Sequence, residues 1–343
     1  MGSSSTGIQS SIQPKHPRRT PPKPEHQDRP SLRLEAGRRE LAELLLRHTT
    51  NEGPQSTAIP ELRLIRQMSP NELIHSTYRP SLCIVAQGAK QVIAGSHRYS
   101  YDPFSYLATS VELPIQGRVI EASPEAPYLS LQLYFTADQI MQLGGEDALT
   151  DAEGKGKSAL GLGVGRMNEP LMDAVLRLVR LLDTPDDIDA LAPLIVRELL
   201  YRALQGELGG MIRRFAAFGT LSQRIAGAVR RLQAEFDKPL KVEELAAQAH
   251  MSESSLYTHF KKVTGLTPIQ YQKRIRLQEA RRLLLSETRE AAEAAYRVGY
   301  ESPSQFSREY ARMFGLPPGA DMKRMREVLT ASVVDGEHAE ALE

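Results

Sequence analysis

The sequence predicts an α+β protein. An N-terminal antiparallel β-barrel with flanking helices is followed by an all-α domain, in which two helix-turn-helix units are joined by a long helix. Three observations lead there. Short strand-like runs punctuated by Gly, Pro and Asp crowd the first half. The last third carries one helix-turn-helix plan twice, separated by a single periodic helical run. At 343 residues the chain is long enough for two separate cores.

The opening "MGSSSTGIQSSIQPKHPRRTPPKPEHQDRP" (1–30) is rich in Ser, Pro and charge and has nothing to form a core, which predicts disorder. A lead-in helix, "SLRLEAGRRELAELLLRH", spans Ser31 to His48. The strand-like runs follow: "ELRLIRQM", "SLCIVAQG", "AKQVIAGS", "HRYSYD", "FSYLATS", "GRVIEA" and "YLSLQLYF". Two helical patterns close this half, "NEPLMDAVLRLVRLLD" and "DIDALAPLIVRELLYRALQ". Their apolar stripes are Leu171, Val175, Leu178 and Leu182, then Leu194, Val196, Leu199 and Leu200. Such stripes serve packing on the chain's own barrel or self-association, and both readings stand. Residues 31–207 thus form one domain, 208–220 a linker, 221–328 the helical domain and 329–343 an acidic tail.

In "VEELAAQAHMSESSLYTHFKKVTG", a short alanine-rich helix leads through a turn to Ser252 as N-cap, then to a second helix closed by Gly265. Leu256, Phe260 and Val263 share its buried side. Ser254, Thr258, Lys261 and Lys262 point away, with Tyr257 at the border. The second copy, "AAEAAYRVGYESPSQFSREYARMFGLPP", starts its second helix with Ser302, Pro303 and Gln305 as cap, first-turn proline and capping box. There Phe306, Tyr310, Met313 and Phe314 face inward, while Ser304, Gln305, Arg308 and Arg312 face outward. Ala246 and Ala249, then Ala292 and Ala295, let each helix pair cross closely. The first turn carries His250 where the second has Gly299, a residue type that tolerates positive φ better than most. Between the units, Thr267, Pro268 and Gln270 start a helix of roughly 27 Å. That rod, with two helix-pair widths, matches major grooves about 34 Å apart on one duplex face.

Over Gln233 to Arg326, and most closely in "RIRLQEARRLLLS" with "AAYRVGYESPSQFSREYARMFGLPP", the chain resembles the DNA-binding domain of AraC/XylS-type bacterial transcription regulators. "GADMKRMRE" stands where that family has its closing helix. The run from "RPSLCIVAQG" to "YLSLQLYF" resembles the cupin-like N-terminal domain of one subgroup. The resemblance implies base contacts from Ser254, Tyr257, Thr258, Ser304, Gln305 and Arg308, and phosphate contacts from Lys261, Lys262 and Arg312. It implies double-stranded DNA as partner, with a small-molecule effector, RNA polymerase and a homodimer as further partners; no catalysis is expected, because no nucleophile–base arrangement or phosphate-cradling glycine loop is in place. A cupin-type enzyme and a protein-interaction module are the rival readings.

Charge and composition agree with the DNA-binding reading. Residues 221–328 hold 19 Lys/Arg against 13 Asp/Glu, a net of +6 in a chain whose total is +1. No apolar stretch has signal-peptide or membrane-spanning form, which predicts a cytoplasmic protein without a membrane partner. His75 (in a loop) and His97 (beside a turn) lack the H-x-H pairing of a metal site, so neither metal nor cofactor is expected. The single cysteine, Cys83, sits in the apolar run "SLCIVA". It reads as a buried core thiol, with a sensor of oxidants or electrophiles as the alternative.

Overall fold

The computed structural model describes residues 30–143, 160–216, 220–286 and 290–326. The segment read as disordered and the acidic tail lie outside the described residues, apart from Pro30. Helix α1 (Leu32–Arg47) begins at Ser31, whose hydroxyl accepts from the Leu34 amide as N-cap. Ten strands follow: β1 (Gly53–Ser56), β2 (Leu62–Gln67), β3 (Ile74–Tyr78), β4 (Ser81–Gln87), β5 (Ala89–Ala94), β6 (His97–Tyr101), β7 (Ser105–Thr109), β8 (Leu113–Glu121), β9 (Tyr128–Tyr134) and, later, β10 (Leu162–Arg166). Helix α2 (Ala137–Met141) lies between β9 and β10. Helices α3 (Glu169–Arg180), α4 (Ile188–Gln205) and α5 (Gly209–Ala216) complete this half.

The strands do not close into one hydrogen-bonded barrel. They form a six-stranded sheet, β1-β2-β9-β4-β7-β10, and a four-stranded sheet, β3-β8-β5-β6, all antiparallel. Strand β4 reads as an uninterrupted apolar run because it is central in its sheet and covered on both faces, α1 lying on the outer one. The segment read as a linker contains α5, which buries Met211, Ile212 and Phe215 against the same core. The second predicted apolar stripe is split: Val196, Leu199 and Leu200 are buried, whereas Leu194 is 63 % exposed. Leu171, Val175 and Leu178 of α3 all face inward.

The helical half comprises α6 (Leu221–Ala234), α7 (Val242–Gln248), α8 (Glu253–Thr264), α9 (Pro268–Ser286), α10 (Ala291–Arg297), α11 (Pro303–Phe314) and α12 (318–326). No described helix is long and apolar enough to cross a membrane. One apolar core runs without a break from α1 through the sheets to Ile275 of α9, so the first helix-turn-helix unit is packed into the sandwich domain's core. The second unit has its own small core around Phe306, Tyr310, Leu283 and Val298. Its closing helix α12 is fastened by Asp321, which is fully buried. The Arg281 guanidinium donates to both Asp321 oxygens, at 2.8 and 2.9 Å, and the Tyr310 hydroxyl donates at 2.7 Å.

Removing one partner of a buried ion pair strands the other in low dielectric. Asp321→Ala is therefore expected to cost the helical half about 3–5 kcal/mol. Chemical denaturation of the full chain, followed by helical circular dichroism, measures it.

Candidate nucleic-acid interface

Helices α8 and α11 are built alike. In α8 the Ser252 hydroxyl accepts from the Ser255 amide at 3.3 Å, and Gly265 ends the helix at φ +75°. In α11 the Ser302 hydroxyl accepts from the Gln305 amide at 3.3 Å, and Gly315 ends it at φ +84°. The capping box read at Gln305 is not made: its amide reaches forward one turn to Glu309 (3.2 Å) rather than back to the cap. Such a box does form at Thr267 and Gln270 of α9. The turns before the two helices are left-handed at His250 (φ +51°) and Gly299 (φ +88°). Histidine is accommodated in the first turn. In the second, a Cβ at 299 would lie 2.0 Å from the Asp237 carbonyl oxygen, and only glycine fits.

Inward faces hold each helix in place. Leu256 and Phe260 are fully buried, with Val263 nearly so, and Phe260 meets Tyr271 edge-on at 5.4 Å. In α11, Phe306 and Tyr310 are fully buried, while Met313 and Phe314 are only partly so. The alanines that permit close crossing are Ala246, Ala249, Ala294 and Ala295. Ala292 is half-buried, so Ala294 takes the place assigned to it. Outward lie Ser254, Thr258, Lys261 and Lys262 on α8 and Ser304, Gln305, Arg308 and Arg312 on α11, all exposed. Tyr257 is partly buried at the edge. The Thr258 hydroxyl is turned onto its own helix, donating to the Ser254 carbonyl at 2.9 Å.

The spacer α9 has 19 residues, a rod of roughly 28 Å. Its Gln272 and Arg276 clamp the α6–α7 connection, Arg276 donating to the carbonyls of Phe236, Asp237 and Lys238 and also to that of Gly299. Lys273 of α9 pairs with Glu309 of α11 at 2.8 Å, and the Tyr300 hydroxyl donates to the same carboxylate at 2.8 Å. Together these contacts hold two exposed, partly cationic helix faces on one rigid frame.

Two residues outside this surface have environments that the sequence reading missed. His75 lies in β3, not in a loop. It meets the ring of Phe314 at 5.0 Å and accepts from the Gln116 amide at 3.0 Å, placing it between the sandwich domain and the end of α11. Its Nδ1 is buried beside the Met313 backbone. Lys90, on β5, shares the inward face of Val92 and Ala94, with its ammonium 5.6 Å from the Tyr78 ring centroid and near Tyr128 and Cys83. The parity K-x-V-x-A in "AKQVIA" carried that signal. Cys83 is 5 % exposed, and burial pushes its thiol up to about 11. His97 opens β6 with its ring stacked near Tyr99 at 6.5 Å.

Paired, serine-capped helices with polar outward faces, set on a common spacer, define a tandem helix-turn-helix module of the DNA-binding kind. Residues 58–211 match the family model described as the AraC-type transcriptional regulator N-terminus, and residues 245–324 match a helix-turn-helix domain model. The chain thus joins an AraC-type transcriptional regulator N-terminal domain to a helix-turn-helix domain. It is 39 % identical over 87 residues to the RCS-specific HTH-type transcriptional activator RclR of Escherichia coli K12, covering 25 % of this chain and 31 % of RclR. It is 31 % identical over 172 residues to the HTH-type transcriptional activator RhaS of Salmonella heidelberg, covering 48 % of this chain and 58 % of RhaS. The chain spans about a third of the length of RclR and of two further curated regulators that it matches. A solved structure of ToxT from Vibrio cholerae superposes with a TM-score of 0.52 at 11 % identity, over 76 % of this chain and 97 % of that one, a likeness of fold.

Two predictions arise here. Burial, reinforced by the Arg274 and Arg281 guanidiniums, lowers His75 from 6.5 to about 4. The folded state then holds fewer protons than the unfolded one, so His75 contributes fully above about pH 6.5, and that contribution is lost as pH falls to about 4. A His75→Gln variant should show a flatter stability–pH profile across that window in thermal unfolding. Cys83 should resist alkylation by iodoacetamide at pH 8 in the folded protein and react once denaturant is added.

Proposed function

We propose that this protein is a sequence-specific DNA-binding transcription regulator. In this reading the sandwich domain receives a small-molecule cue and governs how the two helix-turn-helix units engage duplex DNA. The observation that carries it is the pair of exposed helix faces on α8 and α11 held on one spacer. Ser254, Tyr257, Thr258, Ser304, Gln305 and Arg308 take the base-edge roles, and Lys261, Lys262 and Arg312 the phosphate roles. Arg308 has the fork geometry for guanine O6 and N7, and Gln305 suits adenine. The protein is not an enzyme and works in the cytoplasm. A homodimer is favoured because Leu191, Leu194 and Tyr201 leave apolar area exposed along one side of α4. RNA polymerase is the further partner proposed.

Neutralising several phosphates releases counterions, so duplex affinity should fall steeply and log-linearly with salt. A salt-independent affinity would instead favour a protein-interaction module. Arg308→Ala is expected to weaken specific binding by about 1–3 kcal/mol and to relax discrimination at one base pair. Equal weakening on all sequences, read by titrating a set of duplexes, would reassign Arg308 to a phosphate.

A further inference from the structure

A cavity of about 390 Å³ lies away from both exposed helix faces, where the β7–β8 connection, α2, α5 and α6 converge. Its walls are mostly apolar, with Phe135, Ile140, Ile212 and Phe215 among them, and it falls in the size range of small-molecule sites. One buried polar group on its wall is unsatisfied, and a second, partly exposed one has no protein partner among the described residues. The Ser110 hydroxyl is buried with no hydrogen-bond partner among the described residues, a state that costs free energy until a ligand or water supplies one. The Glu112 side chain is partly buried, and its carboxylate makes no hydrogen bond among the described residues. Formal charge around it balances, Glu112 and Asp138 standing against Arg79 and Arg230. An ionic ligand would therefore gain little from the surrounding charge.

The same short connection is wired to the DNA-binding half. The Ser110 amide donates to the Gly161 carbonyl at 2.8 Å, and the Gly161 amide donates to the Val263 carbonyl, in the last turn of α8, at 3.0 Å. The Glu112 carbonyl accepts from the Tyr271 hydroxyl of α9 at 3.0 Å. Gln223, Ala226 and Arg230 of α6 form the opposite wall, so an occupant touches both domains at once.

We propose that this cavity binds an uncharged small molecule with an apolar body and one hydroxyl, which pairs with Ser110 and Glu112. The inference rests on the regulator reading above and deepens it, setting the cue's site at the joint between the domains. The occupant's contacts with α6 and with Ser110–Glu112 bias the docking of the first helix-turn-helix unit.

The test uses the full chain and 4-ethylphenol as probe, with ethylbenzene as its hydroxyl-free control. Calorimetry should show saturable binding of one 4-ethylphenol per chain, with ethylbenzene at least about tenfold weaker. Ser110→Ala and Glu112→Gln should each weaken the phenol about three- to tenfold, with circular dichroism unchanged. The phenol should also shift duplex affinity at fixed salt. Absence of saturable binding, equal affinity for ethylbenzene, wild-type affinity in both variants, or binding that leaves duplex affinity unmoved would overturn the proposal. Duplex binding without the phenol is measured in parallel. Its retention alongside a failed phenol titration sinks the cavity inference alone, whereas its absence at low salt sinks the regulator reading.

Discussion

Arg276 is the bolt on which the DNA-binding geometry depends. From the middle of α9 its planar guanidinium donates to the carbonyls of Phe236, Asp237 and Lys238, ahead of the first unit, and to that of Gly299, in the turn of the second. A guanidinium presents its donors in a fixed fork, so the four acceptors are held in one mutual arrangement. The two helix pairs are thereby tied to the same point of the spacer. Gly299 is part of the device, since any side chain there would collide with the Asp237 carbonyl that Arg276 also engages. An amide or ammonium at 276 would satisfy fewer of these acceptors.

The two units differ in their tie to the sandwich domain. The first shares a continuous apolar core with it, and the approach is close enough that backbone meets backbone. At the β5–β6 turn, a Cβ on Gly95 would lie 2.8 Å from the Gly265 Cα, at the C-terminus of α8. The second unit touches the sandwich through polar and edge contacts: Thr77 and Ser76 with Gln278, His75 with Phe314, and Glu72 with Arg324. Dry packing transmits displacement directly, whereas exposed polar contacts exchange with water at small cost. The first unit is thus joined to the sandwich domain by dry packing, and the second by fewer contacts, of which His75 against Phe314 is the partly buried one.

Local signals in the helical half were legible because they are written in short-range chemistry. Ser252, Ser302, Gly265 and Gly315 act within one helical turn, and the spacing of Phe306 and Tyr310 follows from 3.6 residues per turn. The strands were less legible. Strand β3, "IHSTY", lies at a sheet edge with only Tyr78 buried, and β10, "LGVGR", spends two positions on glycine, so neither shows the alternation of a half-buried strand. Gln305 carried the capping-box pattern, yet the nearby Glu309 carboxylate claimed its amide. Lys90 broke the apolar parity of its strand and so pointed to an inward lysine, but the tyrosines beside it, Tyr78 and Tyr128, come from β3 and β9, outside its own hairpin.

By itself the sequence determined the identity of the elements that read locally: capped helices, glycine stops, the repeated helix pair and the spacer's length. Backbone hydrogen bonding and side-chain periodicity act over a few residues and leave their mark on neighbouring letters. Only the tertiary structure decided that the strands form two open sheets, that α5 is built into the core, and that a cavity with an unpaired serine sits between the domains. Those outcomes depend on which distant surfaces meet, and that is set by the summed packing and desolvation of many weak contacts rather than by any single stretch of chain.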